Sequence, residues 1–282
     1  MNTIDHARAQ GKAADLSALE ADWLLLHCLE RPTHDRAWLL SHGDQALTPQ
    51  QQQAWLTALE RRRQGEPLAY ITGLRGFYGL ELHVDARVLD PRPDTETLVT
   101  WAIESLASLA TPTVLDLGTG SGAIALAIQS QRPSALVYAL DRSADALAVA
   151  RLNAQRLGLA VLTAQNHWLS SWPPADAPAW PTTFDLIVSN PPYIPEQDAH
   201  LASLMHEPLS ALASGPDGLD DLRTIIAQAP RHLQRGGWLL LEHGWDQGEA
   251  VAQLLHHHGY IDVAHRQDLA GHCRCTGARR PS

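Results

Sequence analysis

Two periodicities divide the chain. Over the first 65 residues apolar positions recur at helical spacing, as in LEADWLLLHCLE, where they form a stripe of period about 3.6. Thr48-Pro49-Gln50-Gln51 adds a helix start: a hydroxyl for the N-cap, a proline in the first turn and a glutamine at the third position, predicting a helix that runs to Arg63. Glycine and proline then punctuate short alternating stretches between Gly65 and Pro93, among them LELHV and ARVL, which read as a hairpin linker. From about Asp94 the pattern alternates between strand and helix. TETLVTWAIESLASL, SGAIALAIQSQ, SADALAVARLNAQRLG, LDDLRTIIAQAPRHL and EAVAQLLHHHGY carry helical spacing, while TVLDL, ALVYAL, AVLTA, FDLIVS and GGWLLLEHG read as strands. YIDVAHR and HCRCTGA predict a closing hairpin, and WPPADAPAWPT a proline-laden surface loop. Strands separated by helices predict an α/β fold with a parallel sheet.

Composition narrows the function classes. The chain has 282 residues, 45% hydrophobic and 18% charged, an ordinary globular balance that excludes disorder as a whole-chain answer. Its net charge of −10 argues against broad binding to phosphate backbones. No apolar run is long enough to span a membrane, and MNTIDHARAQGKAADL lacks the apolar centre of a signal peptide, so no membrane partner and a cytoplasmic protein are expected. Three cysteines, Cys28, Cys273 and Cys275, without a C-x-x-C pair, suggest neither a disulfide framework nor a thiolate metal site.

The chemistry concentrates in two loops. Asp116-Leu117-Gly118-Thr119-Gly120-Ser121-Gly122 follows an apolar strand and opens a helix. Glycines there let backbone approach a ligand without a Cβ, and a helix start offers unsatisfied N–H groups. The spacing is not G-x-G-x-x-G and lacks a P-loop lysine. D-x-G-x-G-x-G instead resembles the first motif of class I S-adenosylmethionine-dependent methyltransferases. The next strand ends in Asp141, placed to accept hydrogen bonds from both ribose hydroxyls; its plain alternative is an N-cap for the following helix.

Strand FDLIVS ends in Asn190-Pro191-Pro192-Tyr193. An amide or exocyclic amine attacks a sulfonium methyl poorly unless acceptors hold its N–H groups. Asn190 Oδ1 can accept one hydrogen and the Pro191 carbonyl the other. Pro191 and Pro192 add no competing backbone donor and stiffen the turn, and the Tyr193 ring can stack on a planar target.

Five segments then carry a resemblance to the PrmC/HemK family of protein-glutamine N5-methyltransferases: GEPLAYITG, PRPDTE, DLGTGSG, SNPPY and LLLEHGWDQG. The resemblance implies a small helical domain over residues 1–75 that docks the release factor, a β-hairpin linker over 76–93, and a Rossmann-like seven-stranded methyltransferase domain over 94–282. It implies methyl transfer from S-adenosyl-L-methionine, leaving S-adenosyl-L-homocysteine, to the side-chain amide of the glutamine in the Gly-Gly-Gln loop of peptide chain release factors, with an effect on translation termination. No metal and no direct nucleic acid partner are expected. Residue by residue, it assigns cofactor contacts to Gly118, Thr119, Gly120, Ser121 and Gly122, ribose to Asp141, adenine stacking to Trp168, and the target glutamine to Asn190, Pro191, Pro192 and Tyr193, with Asn190 touching both ligands. Arg92, Asp94 and Glu96 match a segment that lies near the methyl donor in the family, without individual roles. One departure stands out: the family commonly has Asp before the aromatic, where this chain has Asn166-His167-Trp168, so that Asn166 Oδ1 or a backbone carbonyl is the expected substitute acceptor for the adenine amino group.

The remaining signals read as structural. His256, His257 and His258 diverge by about 100° per residue in a helix and do not converge on one ion. His243 is read either as a pocket residue or as a satisfied loop side chain. Arg61, Arg62 and Arg63 close a helix, where cations suit the dipole, and are read as facing water, the alternative being contact with an acidic face of the release factor or with phosphate in an RNA partner. Methylation of an exocyclic amine in nucleic acid is the competing enzymatic reading, and a degenerate fold acting as a binding module the non-enzymatic one.

Overall fold

The computed structural model describes residues 2–282, so that Met1 of the expected helical domain lies outside the described residues. It divides into a unit that ends at Leu74 and a second from Arg75 to Ser282. The first is helical: α1 (Ile4–Ala13), α2 (Ala18–Cys28), α3 (Arg36–Ser41), α4 (Pro49–Arg63) and α5 (Leu68–Thr72). Capping boxes start two of them, Ser17 with Glu20 and Thr48 with Gln51, the latter with Pro49 in the first turn. Such caps satisfy N–H groups that a helix start leaves open, each worth about 1 kcal/mol. α2 buries Leu24, Leu25 and Leu26 in succession, so it is covered on more than the single stripe its spacing predicts. These leucines pack with Ile4, Leu39, Trp55 and Leu59. Asp22, buried in the same unit, is held between Arg8 and Arg36 at 2.8 and 3.0 Å.

In the second unit, β1 (Leu74–Phe77) and β2 (Leu80–His83) form the hairpin. ARVL is not a strand. Residues 84–92 run irregularly, with a turn closed by Val88 N–H to the Asp85 carbonyl, before a 3-10 turn Pro93–Thr95. Two prolines that cannot donate to a ladder stand within and just beyond that stretch. Then follow α6 (Glu96–Ser105), β3 (Thr113–Leu117), α7 (Ala123–Gln131), β4 (Leu136–Asp141), α8 (Ala144–Leu157), β5 (Val161–Gln165), β6 (Phe184–Ser189), α9 (Asp220–Gln228), β7 (Leu233–Glu242), α10 (Gly248–His257), β8 (Ile261–Gln267) and β9 (Cys273–Arg279). The seven-stranded sheet runs β5-β4-β3-β6-β7-β9-β8, parallel through β7, with β9 antiparallel to both β7 and β8. This is a Rossmann-like fold. α9 ends early in a 3-10 turn, where Pro230 lacks the N–H needed to continue the helix.

Leu115, Leu117, Leu140, Ile187, Leu239 and Leu241 fill the sheet's core, consistent with strands covered on both faces. The proline-laden loop does more than cross the surface. Its Trp172 and Trp180 pack edge-on or tilted against Phe184, Tyr138 and His232. Strand order reverses between β3 and β6, and the carboxyl ends of both open onto one edge, the usual ligand crevice of such sheets. No helix among the described residues is long and apolar enough to cross a membrane.

Candidate active site

The glycine-rich loop is built around a buried acid. Asp116 Oδ2 accepts from the Thr119 hydroxyl at 2.6 Å and from the Ala125 N–H at 3.2 Å, which fixes the loop and the start of α7 together. Asp116 is fully buried, and desolvation lifts its pKa from 3.8 to about 7. The Thr119 N–H bonds the Leu140 carbonyl at 2.8 Å, and the Gly120 N–H bonds Asp141 Oδ2 at 2.9 Å. Asp141 is therefore not the N-cap of α8; Ser143 is, accepting from Ala146 N–H, while Asp141 Oδ1 accepts from Ser143 N–H at 2.9 Å. Each Asp141 oxygen retains acceptor capacity.

One cavity gathers most of the residues singled out in the sequence. Gly118, Thr119, Gly120, Ser121, Asp141, Asn166, His167, Trp168, Asn190 and Pro192 all line it. Gly118 has φ +70, and a Cβ there would stand 3.2 Å from the Trp168 ring, so glycine is required both by backbone and by the indole beside it. Trp168 itself sits at φ +50, a conformation that costs a non-glycine residue about 1–2 kcal/mol. Its Nε1–H donates to Asp221 Oδ1 at 2.8 Å, locking the ring. Gly122, Pro191 and Tyr193 do not line this cavity. Gly122 is the N-cap of α7 at φ +85, packed where a Cβ would meet Leu126 at 2.9 Å and Ala150 at 3.3 Å.

Asn190 is aimed by its neighbours. Its Nδ2 donates to the Thr95 hydroxyl at 3.2 Å, which leaves Oδ1 as the amide's acceptor. Ser189, just before it, donates to the Leu117 carbonyl at 2.7 Å and ties the ends of β6 and β3. The Tyr193 carbonyl accepts from Gln247 Nε2 at 3.0 Å, and its N–H bonds the Leu212 carbonyl. Burial pushes the Tyr193 phenol far above its ordinary range, with Glu242, Arg274, Arg92 and Asp94 acting on it electrostatically.

Sequence reading leaves several contributors unassigned. Asn153 is completely buried; its Nδ2 donates to the Ser121 and His83 carbonyls at 2.9 Å, and its Oδ1 accepts from His83 N–H at 2.7 Å. It joins the hairpin to the glycine loop, and its signal was present: a polar residue on the stripe Ala146, Val149, Ala150 of α8. Arg92 pairs with the buried Glu207, and Arg142 donates to the Ser210 carbonyl at 2.9 Å, securing the segment whose Pro208, Ser210 and Ala211 close the cavity. Glu96 accepts from the Tyr78 N–H at 2.8 Å and holds the hairpin turn, while Asp94 faces Arg274 at 3.7 Å. Asn166 turns into its own loop, donating to the Ser171 carbonyl and accepting from His167 N–H, so its Oδ1 is already partly engaged.

His243 is buried and satisfied, bonded through Nε2 to Thr276 at 2.7 Å and through Nδ1 to the Gly244 carbonyl. His256, His257 and His258 are exposed. Arg61 and Arg62 pair with Glu66 and Glu20 at 2.5 and 2.9 Å, so two of the three arginines do more than face water. Cys275 is buried, and its thiol is pushed up by desolvation. Among the described residues no cluster of His, Cys, Asp or Glu is arranged to hold a metal.

Residues 2–73 match the PrmC N-terminal domain and residues 95–258 the methyltransferase small domain. The release factor glutamine methyltransferase of Xylella fastidiosa strain Temecula1 is 48% identical over 269 residues, 94% of each chain. That of Bordetella pertussis strain Tohama I is 47% identical over 264 residues, 93% of this chain and 94% of the relative. A methyltransferase structure from Pyrococcus furiosus, 18% identical, superposes with a TM-score of 0.53 over 80% of this chain and 99% of that one, a likeness of fold. With that identity sustained over nearly the full length of both relatives, the chain belongs to the release factor glutamine methyltransferase family.

Proposed function

We propose that this chain transfers a methyl group from S-adenosyl-L-methionine to the side-chain amide nitrogen of the glutamine in the Gly-Gly-Gln loop of a peptide chain release factor, and so acts on translation termination. The observation that carries this reading is the shared cavity: the glycine loop with Asp141 and Trp168, and Asn190 and Pro192 of the elbow, line one space at the reversal of strand order. The cavity suits the donor. A Cβ-free cradle at Gly118, a carboxylate with spare acceptor capacity at Asp141 and a locked indole at Trp168 match a methionine-nucleoside with a ribose and a flat base. When bound, the donor's sulfonium supplies an electrophilic methyl carbon.

The chain's own residues supply orientation. Asn190 Oδ1 accepts one hydrogen of the target carboxamide and the Pro191 carbonyl the other, presenting the nitrogen to the donor side. The segment carrying Pro208 and Ala211 excludes water. The helical unit over residues 2–73 holds the release factor, which fits the family of its matching domain.

Mass spectrometry after incubating the enzyme and donor with a release factor tests this directly. The expected product is a single methyl increment on the Gly-Gly-Gln peptide. Label transferred to tRNA or DNA and none to the release factor would overturn the reading.

A further inference from the structure

Glu207 is buried in the segment between the elbow and α9, and it lines no part of the cavity. Its carboxylate is spent on one stretch of backbone across from it: Oε2 accepts from the Asp90 N–H at 3.2 Å and Oε1 from Arg92 Nη2 at 2.5 Å. Asp90 continues the cluster, with Oδ1 3.3 Å from Arg75 Nε and Oδ2 3.7 Å from Arg92 Nη1. Two cations and two carboxylates balance there. Taking such groups out of water costs about what their pairing returns, so the cluster adds little net stability, but it holds its members to an exacting geometry.

From Glu207 the chain runs as a strap along the cavity wall, through Pro208, Ser210 and Ala211. A 3-10 turn over Leu209–Ala211 tightens it: the Ala211 N–H bonds the Pro208 carbonyl at 2.8 Å and the Leu212 N–H the Leu209 carbonyl at 3.0 Å. The strap ends at Leu212, whose carbonyl accepts from both the Tyr193 and the Ile194 N–H, at 3.2 and 2.9 Å. Ser214 N–H returns a bond to the Ile194 carbonyl at 3.0 Å. Only two prolines separate Tyr193 from Asn190, and their ring-fixed φ leaves little slack between the held end of the elbow and its acceptors.

We infer that Glu207 is a positioning residue for the elbow: anchored on Asp90 and Arg92, it fixes the strap that holds Tyr193 and Ile194, and so sets where the Asn190 and Pro191 acceptors stand relative to the donor. The inference rests on the proposed transfer to glutamine. Thr95 engages the Asn190 side chain, while Glu207 acts on the backbone that carries it. Misplacing reacting groups by about 1 Å can cost about 100-fold in rate. A glutamine at position 207 keeps the shape of the side chain but offers one acceptor oxygen in place of two, and its NH2 is set against either the Asp90 N–H or the Arg92 guanidinium.

The test uses the full chain with donor and a release factor, comparing wild type with Glu207→Gln, Arg92→Met and Arg92→Lys. Neither residue lines the cavity, so no lost cavity contact enters the comparison. A displaced elbow predicts a kcat lower by about 10–100-fold at saturating donor and release factor in Glu207→Gln and Arg92→Met, and mostly recovered in Arg92→Lys, which keeps a cation for the carboxylate. Donor Kd by calorimetry should stay within about threefold, because Arg142 still ties the Ser210 carbonyl to the end of β4. Amide exchange followed by mass spectrometry reads the elbow itself. Pro191 and Pro192 carry no N–H, so the stretch after Asn190 reports Tyr193 and Ile194, whose exchange should quicken about tenfold in Glu207→Gln while residues 118–122 keep the wild-type rate. Wild-type kcat in Glu207→Gln, a loss confined to donor Kd, or exchange that quickens alike across the chain overturns the inference; so does Arg92→Lys performing no better than Arg92→Met. Should Glu207→Gln fail to fold, the two arginine variants decide on the same readouts. If the wild-type chain methylates no glutamine, the function reading falls and takes this with it; if it does and Glu207→Gln keeps pace, only the inference falls.

Discussion

The two loops at the edge of the sheet are anchored by opposite means. The glycine loop after β3 is held largely by its own backbone and by the strand beside it: Thr119 N–H to Leu140, Gly120 N–H to Asp141, Gly122 N–H to Thr119. The elbow after β6 is held by side chains from far along the chain, Thr95 on Asn190 and Gln247 on the Tyr193 carbonyl. Asp116 belongs to the loop it supports, whereas Thr95 stands 95 residues from Asn190 and Gln247 54 from Tyr193. A loop that binds a donor of constant shape can be a fixed cradle. A loop that must aim one amide at another needs its side-chain direction set, and that takes neighbours.

The largest expected effect lies on the elbow. Asn190→Ala should lower turnover by about 10²–10³-fold, as for removal of one oriented polar group from an active site, while the urea midpoint barely moves. Near-wild-type methyl transfer by this variant would dissolve the contrast between the loops.

Asp116 tests the other side through pH. Its folded pKa of about 7 lies above the ordinary 3.8, so its contribution to stability is fully present below about pH 4 and is lost as pH rises through about 7. Asp116→Asn, which cannot ionise, should therefore lose less stability than wild type between about pH 4 and pH 8, by up to about 4 kcal/mol in denaturant titrations. Parallel curves for the two proteins would show that the acid is not carried in the loop as described.

Gly118→Ala sharpens the account of the cradle. The Cβ must adopt φ +70 and stand 3.2 Å from Trp168. A stability cost of about 1 kcal/mol and a donor Kd weakened about tenfold in calorimetry are expected, with kcat at saturating donor nearly unchanged. A fall confined to kcat would assign Gly118 to the chemistry of the elbow instead.

The smallest effect is at the far end of α10. Replacing His256, His257 and His258 together by alanine should change stability by less than about 0.5 kcal/mol and leave turnover unchanged, with or without a chelator in the assay.

Much of this was legible in the chain because it is local. Periodicity places β3, α7, β4, α8 and β6 within a residue or two, since each buries a repeating apolar face. DLGTGSG and NPPY could be read for the same reason, for glycine at φ +70 and proline without an N–H act wherever they stand. ARVL misled because alternation alone does not make a strand: with prolines at its end and no edge to join, it became cavity wall.

What the sequence by itself determined is the set of elements, the two loops and the residue types that can bind a methyl donor and an amide. Only the folded structure decided which distant side chains stand behind them: Thr95 behind Asn190, Asn153 under Ser121, Glu207 against Arg92. Those partners are separated by tens of residues and share no period. Their meeting is set by the order in which strands join the sheet, which no local pattern of apolar and polar residues encodes.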